Sequence, residues 1–184
     1  MRILPTAAKV FSSSQKISRN FKPTSIERAK QIANACNVIN LSAIIDNVEL
    51  EMLASTDGID VGEALLVAAT QLEQDFYLLT SDKRFLKTLA LSNFDNVKQR
   101  LQKRVICLEQ LMTHLISVKD FDLICRRVVS ADSCDMVVSD AFTKGRQTKS
   151  QDAVTVFNQA TQDLRIKTGD LLIDSVVTAV YTSS

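Results

Sequence analysis

Two carboxylates, Glu63 and Asp82, sit where secondary-structure elements of this chain begin or end. Glu63 follows Asp60-Val-Gly and opens an apolar helical stretch. Asp82 lies in Thr80-Ser81-Asp82-Lys83-Arg84, directly after the apolar run Phe76-Tyr-Leu-Leu-Thr. In open parallel α/β sheets, ligands gather beyond the carboxyl ends of the strands. A hard cation such as Mg²⁺ or Mn²⁺ takes oxygen ligands there, one or two carboxylates with water and phosphate oxygens completing the shell. Glu63 and Asp82 meet that minimum only if a third acid joins them. Lys83 and Arg84, beside Asp82, are placed to attract substrate phosphates.

Each residue also has a plainer reading. Asp60-x-x-Glu63 is a capping box, in which the two side chains exchange hydrogen bonds with each other's backbone N–H. Ser81 or Asp82 can cap the helix that follows the apolar run. Lys98, Arg100, Lys103 and Arg104 form a second basic group, a pattern more often found on a solvated helix face. His114 has no Ser or Cys motif to serve and reads as structural. Gly58 and Gly62 belong to no phosphate-binding loop.

The elements that must position Glu63 and Asp82 follow from local pattern. Residues 1–22 read as a loop or frayed strand. Thr24-x-x-Glu27 opens a helix to about Asn34, and Val38-Ile-Asn-Leu reads as a strand. A helix from Asp46 turns Val48, Leu50, Met52 and Leu53 inward. The helix Val61 to Gln74 is expected to present Val61, Leu65, Ala68 and Leu72 on one face, with Glu63, Thr70 and Gln74 opposite. Phe76 to Thr80 reads as a covered parallel strand, Asp82 begins a helix to Leu91, and a charged helix from Val97 leads to the strand Arg104 to Leu108. This β-α-β-α-β alternation implies an α/β unit with a small parallel sheet. Helices alone follow: Leu108–Ile116, Phe121–Val128, Cys134–Phe142 and Asp152–Leu164, the last with a stripe at Ala153, Val156, Phe157, Ala160 and Leu164. The basic run from Thr143 to Ser150 reads as a mobile loop.

The chain has 184 residues, enough for one domain, or for one domain with an appended subdomain. Its 46% hydrophobic and 23% charged content is that of an ordinary globular protein, and a net charge of +1 leaves no global footprint for nucleic acid. The four cysteines, Cys36, Cys107, Cys125 and Cys134, lack zinc-ligand spacing; Cys36 and Cys107 lie in apolar surroundings and read as buried free thiols. No apolar run approaches the ~20 residues of a membrane span, and Pro5 and Lys9 interrupt any leader-like stretch, so a cytoplasmic location is the expectation.

Taken together, Ile59-Asp-Val-Gly-Glu-Ala-Leu-Leu and Leu78-Leu-Thr-Ser-Asp-Lys-Arg-Phe resemble the middle of a PIN domain, over residues 24 to about 116. The helical tail, with Cys134-Asp135 and Asp163-Leu-Arg, is similar to the C-terminal extension of a bacterial PIN-like subgroup. The resemblance implies a three-layer α/β/α fold in residues 1–116 and a helical extension in 117–184. It further implies a metal-dependent ribonuclease ancestry of the toxin–antitoxin type, with Glu63 and Asp82 as catalytic Mg²⁺ or Mn²⁺ ligands. Asp60, Thr80 and Ser81 would support them, Lys83 and Arg84 would hold RNA, and an antitoxin or a second copy would be the protein partner. The family's first acid sits on an N-terminal strand. Here no Asp or Glu precedes Glu27, and Asp95 is a weak equivalent of the fourth acid. Two readings stay open: a ribonuclease-type domain that is truncated or inactive, or a non-catalytic interaction module in which the acids are caps and the Ala153/Phe157/Leu164 stripe docks a partner.

Overall fold

Short β-prone runs separated by helical stretches give this chain two small parallel sheets inside a mostly helical body. The computed structural model describes residues 1–44, 48–131 and 135–176. Strand β1 (Arg2–Ile3) pairs in parallel with β2 (Asn37–Val38), and α1 (Ala7–Ser13), α2 (Gln15–Asn20) and α3 (Pro23–Ala35) connect them. After α4 (Val48–Ala54) and α5 (Val61–Ala69), a 3-10 turn at Thr70–Leu72 leads to β3 (Leu78–Thr80). Helices α6 (Lys83–Leu91) and α7 (Asp95–Leu101) then cross to β4 (Val105–Cys107), which pairs with β3 in the register Leu78↔Val105. On its other side β4 meets Leu172 through a single parallel bridge at Val105. The chain continues with α8 (Leu108–Val118), α9 (Phe121–Val129), α10 (Met136–Ala141) and α11 (Ser150–Thr168).

The main core gathers Leu53, Ala64, Val67, Phe85, Leu86, Leu89 and Val105 with Leu164, Leu171 and Leu172 from the C-terminal half. A second cluster forms around Phe157, Phe142, Ala153 and Cys125, where the Phe142 and Phe121 rings stack at 6.0 Å. Helix α11 serves both clusters and packs against α6, α8 and α10. Burying a side chain of Phe or Leu size contributes roughly 1.5–3 kcal/mol, so this helix is a principal tie of the fold. The Ala153/Phe157/Leu164 stripe is therefore spent on the chain's own core, which corrects the expectation that it docks a partner.

Other expectations change with the three-dimensional context. Residues 7–13 and 15–20 are helical rather than loop, with the Ser14 hydroxyl accepting from the Ile17 N–H at 3.3 Å to start α2. Pro23 takes the first helical position of α3, so Thr24 lies inside the helix and does not cap it. In α4, Leu53 is buried but Val48 and Met52 are exposed. In α5 the buried face is Ala64, Val67, Ala68 and Ala69, with Thr70 buried just beyond, while Val61 and Leu72 are exposed. The near-uniform apolarity of α5 gave periodicity too little contrast to choose between faces. Strand β3 is parallel as expected, yet its central residue Leu79 is not covered. The basic run around Gly145 contains a 3-10 turn (Gly145–Gln147), and Thr148 is buried with its hydroxyl donating to the Gly145 carbonyl at 2.7 Å. Cys107 and Cys125 are buried thiols, whereas Cys36 is only half-buried; Asp46 and Cys134 lie outside the described residues.

Candidate functional site at the carboxyl ends of β3 and β4

The turn leading into α5 places the first acid. Gly58 holds φ +87°, and a Cβ there would come within 2.7 Å of the Thr88 hydroxyl, so this reversal needs glycine both for its backbone and for the close approach of α6. Asp60 then sits at the N-cap of α5. Its Oδ1 accepts from the Glu63 N–H at 2.8 Å, while Glu63 Oε2 accepts from the Asp60 N–H at 2.8 Å. The capping box read in the sequence is fully formed. Partial burial pushes the Glu63 carboxyl above its ordinary value, and the Asp60 and Asp82 charges add to the rise; the hydrogen bond from the Asp60 N–H and the Arg84 guanidinium oppose it.

Asp82 follows the end of β3 and caps α6, its Oδ1 accepting from the Phe85 N–H at 2.9 Å. Thr80 Oγ1 accepts from the Asp82 N–H at 3.1 Å and so fixes the turn. Ser81, Asp60 and Arg84 are exposed. The first turns of α5 and α6 thus bring Asp60, Glu63, Asp82 and Arg84 into one electrostatic neighbourhood, as the influence of the other three on Glu63 attests. Asp95 stands apart from this group, paired with Lys98 at 2.9 Å.

Lys83 turns away from that group and into a second one, which sequence reasoning missed. Its ammonium lies 2.5 Å from Glu109 Oε1 and 3.4 Å from Asp135 Oδ1. Glu109, in the first turn of α8 just after β4, is 1% exposed, and its Oε2 meets no hydrogen-bond donor among the described residues. Burial lowers the Lys83 pKa, but Glu109 and then Asp135 outweigh it, and the net shift is upward. Asp135 also caps α10, accepting from the Val137 N–H at 2.8 Å. At the end of β4, burial pushes the Cys107 thiol up to about 11, and the Glu109 charge adds to the shift. Gln110 ties this corner to the C-terminal segment, donating from Nε2 to the Ile173 carbonyl at 2.6 Å. The only sequence signal for Glu109 was an acid one residue past a strand end, and nothing local pointed to Asp135 as its neighbour.

The basic residues near β4 are likewise engaged. Arg100 pairs with Glu49 and donates from Nε to the Thr70 hydroxyl at 2.9 Å. Lys103 pairs with Asp174 at 2.9 Å, and the Arg104 guanidinium stacks over Phe76 at 5.0 Å. Half-buried His114 has its Nδ1 buried without a partner among the described residues.

A Mg²⁺ or Mn²⁺ ion would require Glu63 and Asp82 to be joined by a third hard ligand. Among the described residues no group of three His, Cys, Asp or Glu side chains is arranged to hold a metal. Each of the two acids already commits one oxygen to a helix cap, and the Arg84 charge beside Glu63 opposes a second cation. The residues present therefore do not fit a complete metal centre. Comparison with protein-family models, with characterised proteins and with solved structures gave no match. No helix among the described residues is long and apolar enough to cross a membrane.

Proposed function

We propose that this chain is a PIN-like α/β domain of three-layer type, related by descent to metal-dependent ribonucleases, and that it works as a non-catalytic binding module. The observation that carries this reading is the double use of the two acids. Glu63 and Asp82 lie beyond the end of β3, yet both are bonded into helix caps, as is the neighbouring Asp60, and among the described residues no three such side chains are arranged to hold a metal. Capping alone is worth about 0.5–2 kcal/mol per residue, a sufficient reason for these side chains without catalysis. The free thiols of Cys107 and Cys125 suit a reducing, cytoplasmic setting. The test is RNA cleavage with Mn²⁺ by the wild-type chain and by Glu63→Gln and Asp82→Asn. Equal background in all three is expected; cleavage by the wild type that both substitutions abolish would overturn the reading.

A second reading, a toxin-type endoribonuclease using Mg²⁺ or Mn²⁺, draws on one specific observation. The Glu63 and Asp82 charges repel one another, so two carboxylates share one field beyond the end of β3. In that reading the exposed Arg84 would meet the RNA backbone, whereas Lys83 is held by Glu109 and Asp135.

A further inference from the structure

The net charge of +1 hides an uneven distribution. Residues 1–44 hold seven Lys or Arg against the single acid Glu27, whereas residues 45–184 hold fifteen against twenty. Glu27 pairs with Lys30 at 3.8 Å, and Arg2 with Glu73. Lys9, Arg19 and Arg28 are exposed and pair with no carboxylate among the described residues. An excess of this kind on one part of the surface favours an anionic partner.

The fold adds to the excess from a distant stretch of chain. Lys22, at the N-cap of α3, donates from Nζ to the Ser130 carbonyl at 3.3 Å, and Ser130 is the residue that ends α9. This bond joins two corners. One is the α2–α3 junction, with Arg19 in the last turn of α2; the other is the end of α9, with Arg126 and Arg127 in its last turn. Both of these arginines are exposed, Arg126 donating from Nε to the Asp122 carbonyl at 3.2 Å. Cations in a last turn complement the helix dipole, which explains each arginine singly. It explains neither their convergence nor the ring found at the same corner.

That ring is Phe21, which closes α2 between Arg19 and Lys22. Of the eight phenylalanines it alone is exposed, at 47%. Thr24 and Ser25, exposed in the first turn of α3, add hydroxyl donors. Cations that track phosphates, hydroxyls that donate to them and an open ring on which a base can stack are the elements of single-strand recognition. A duplex keeps its base faces stacked and would leave the ring unused. A lipid surface fits less well, because interfacial helices present a long apolar face. Here α2 has six residues, and α3 turns Ala33 into the protein.

We propose that the corner formed by the α2–α3 junction and the end of α9 binds a single-stranded nucleic acid. Arg19, Arg126 and Arg127 meet its phosphates, and Phe21 stacks on a base. This goes beyond the capping of Glu63 and Asp82 and names a partner class for the binding-module reading. The probe is DNA and the readout needs no Mn²⁺, so the two can fail separately.

The experiment is fluorescence anisotropy of a fluorescein-labelled oligothymidylate of about fifteen nucleotides, titrated with the full chain in EDTA. Binding in the micromolar range is expected at about 50 mM NaCl, weakening with a log–log salt slope of about −2 for three phosphate contacts. Arg19→Gln combined with Arg127→Gln should weaken it about tenfold or more, and Phe21→Ala about fivefold or more. Phe21→Tyr and Arg84→Gln should bind as wild type does. All these side chains are exposed, and circular dichroism melts check that each variant folds. Four results would overturn the proposal. These are no binding at about 100 µM chain, a double variant as tight as wild type, a loss with Arg84→Gln equal to that of the double variant, or full displacement of the oligonucleotide by polyglutamate or phosphatidylserine vesicles at equal charge.

Discussion

Two groups of charges lie within a few residues of each other at the carboxyl ends of β3 and β4, and they are built oppositely. The Asp60/Glu63/Asp82 group is local, half open to water, and satisfied by the backbone of the helices it starts. The Lys83/Glu109/Asp135 group is assembled from three distant stretches of chain and centred on a carboxylate that is 1% exposed. The first resembles chemistry and is accounted for by capping. The second has no motif and carries the larger electrostatic stake, because a buried charge must keep its partner or be very costly. Adjacent residues on one loop, Asp82 and Lys83, divide between the two.

The contrast can be broken most severely at Lys83. Lys83→Met leaves the Glu109 carboxylate buried without its cation and should destabilise the chain by about 3–5 kcal/mol in urea denaturation. The double variant Lys83→Met with Glu109→Met should recover most of that loss, since the pair itself is worth little against apolar residues of similar size. If the single variant costs no more than a surface substitution, the buried group has been misjudged.

A smaller effect is expected in the local group. Asp82→Ala removes the cap of α6 and should cost about 1 kcal/mol, whereas Asp82→Asn, which still accepts the Phe85 N–H, should stay within a few tenths. An Asp82→Asn variant as damaged as Asp82→Ala would mean that the charge, not the cap, matters there.

Glu63 sharpens the comparison through pH. Its carboxyl is raised in the folded chain by burial and by the neighbouring Asp60 and Asp82 charges. A raised acid binds its proton more tightly when folded, so its contribution to stability falls as pH rises from its ordinary value of 4.5 through the folded value. Glu63→Gln should therefore be at least as stable as wild type at pH 7, with the advantage shrinking on acidification below that ordinary value. Urea midpoints across that range check the sign, and a variant that loses stability at neutral pH would reverse it.

The smallest perturbation is chemical. Cys107, its thiol pushed up to about 11 by burial and by Glu109, should resist alkylation at pH 8 in the native chain, while half-buried Cys36 reacts. Equal labelling of the two by mass spectrometry would show that the corner around Glu109 opens freely.

What was legible in the sequence follows the same division. The capping box of Asp60 and Glu63, the parallel strands β3 and β4, and helices α6, α8, α9 and α11 could be read because their signals lie within one turn or one period. Helices α1 and α2 escaped notice, since their stability comes from packing against α3 and not from the serine-rich local sequence. The ion group around Glu109 joins residues 26 and 52 positions from Lys83 in the chain, and no spacing rule links them. That no strand among the described residues pairs with the far edge of β3 was hidden too: an apolar run such as Phe76 to Thr80 has the same composition whether a strand covers its far side or not.

Glu63 and Asp82 cap α5 and α6, and the proposal is that they serve there as caps and not as metal ligands. Its most direct test is calorimetric titration of the wild-type chain with Mn²⁺ to millimolar concentration at pH 7, alongside Asp82→Asn. No saturable heat is expected in either. A saturable binding isotherm in the wild type that Asp82→Asn abolishes would contradict it.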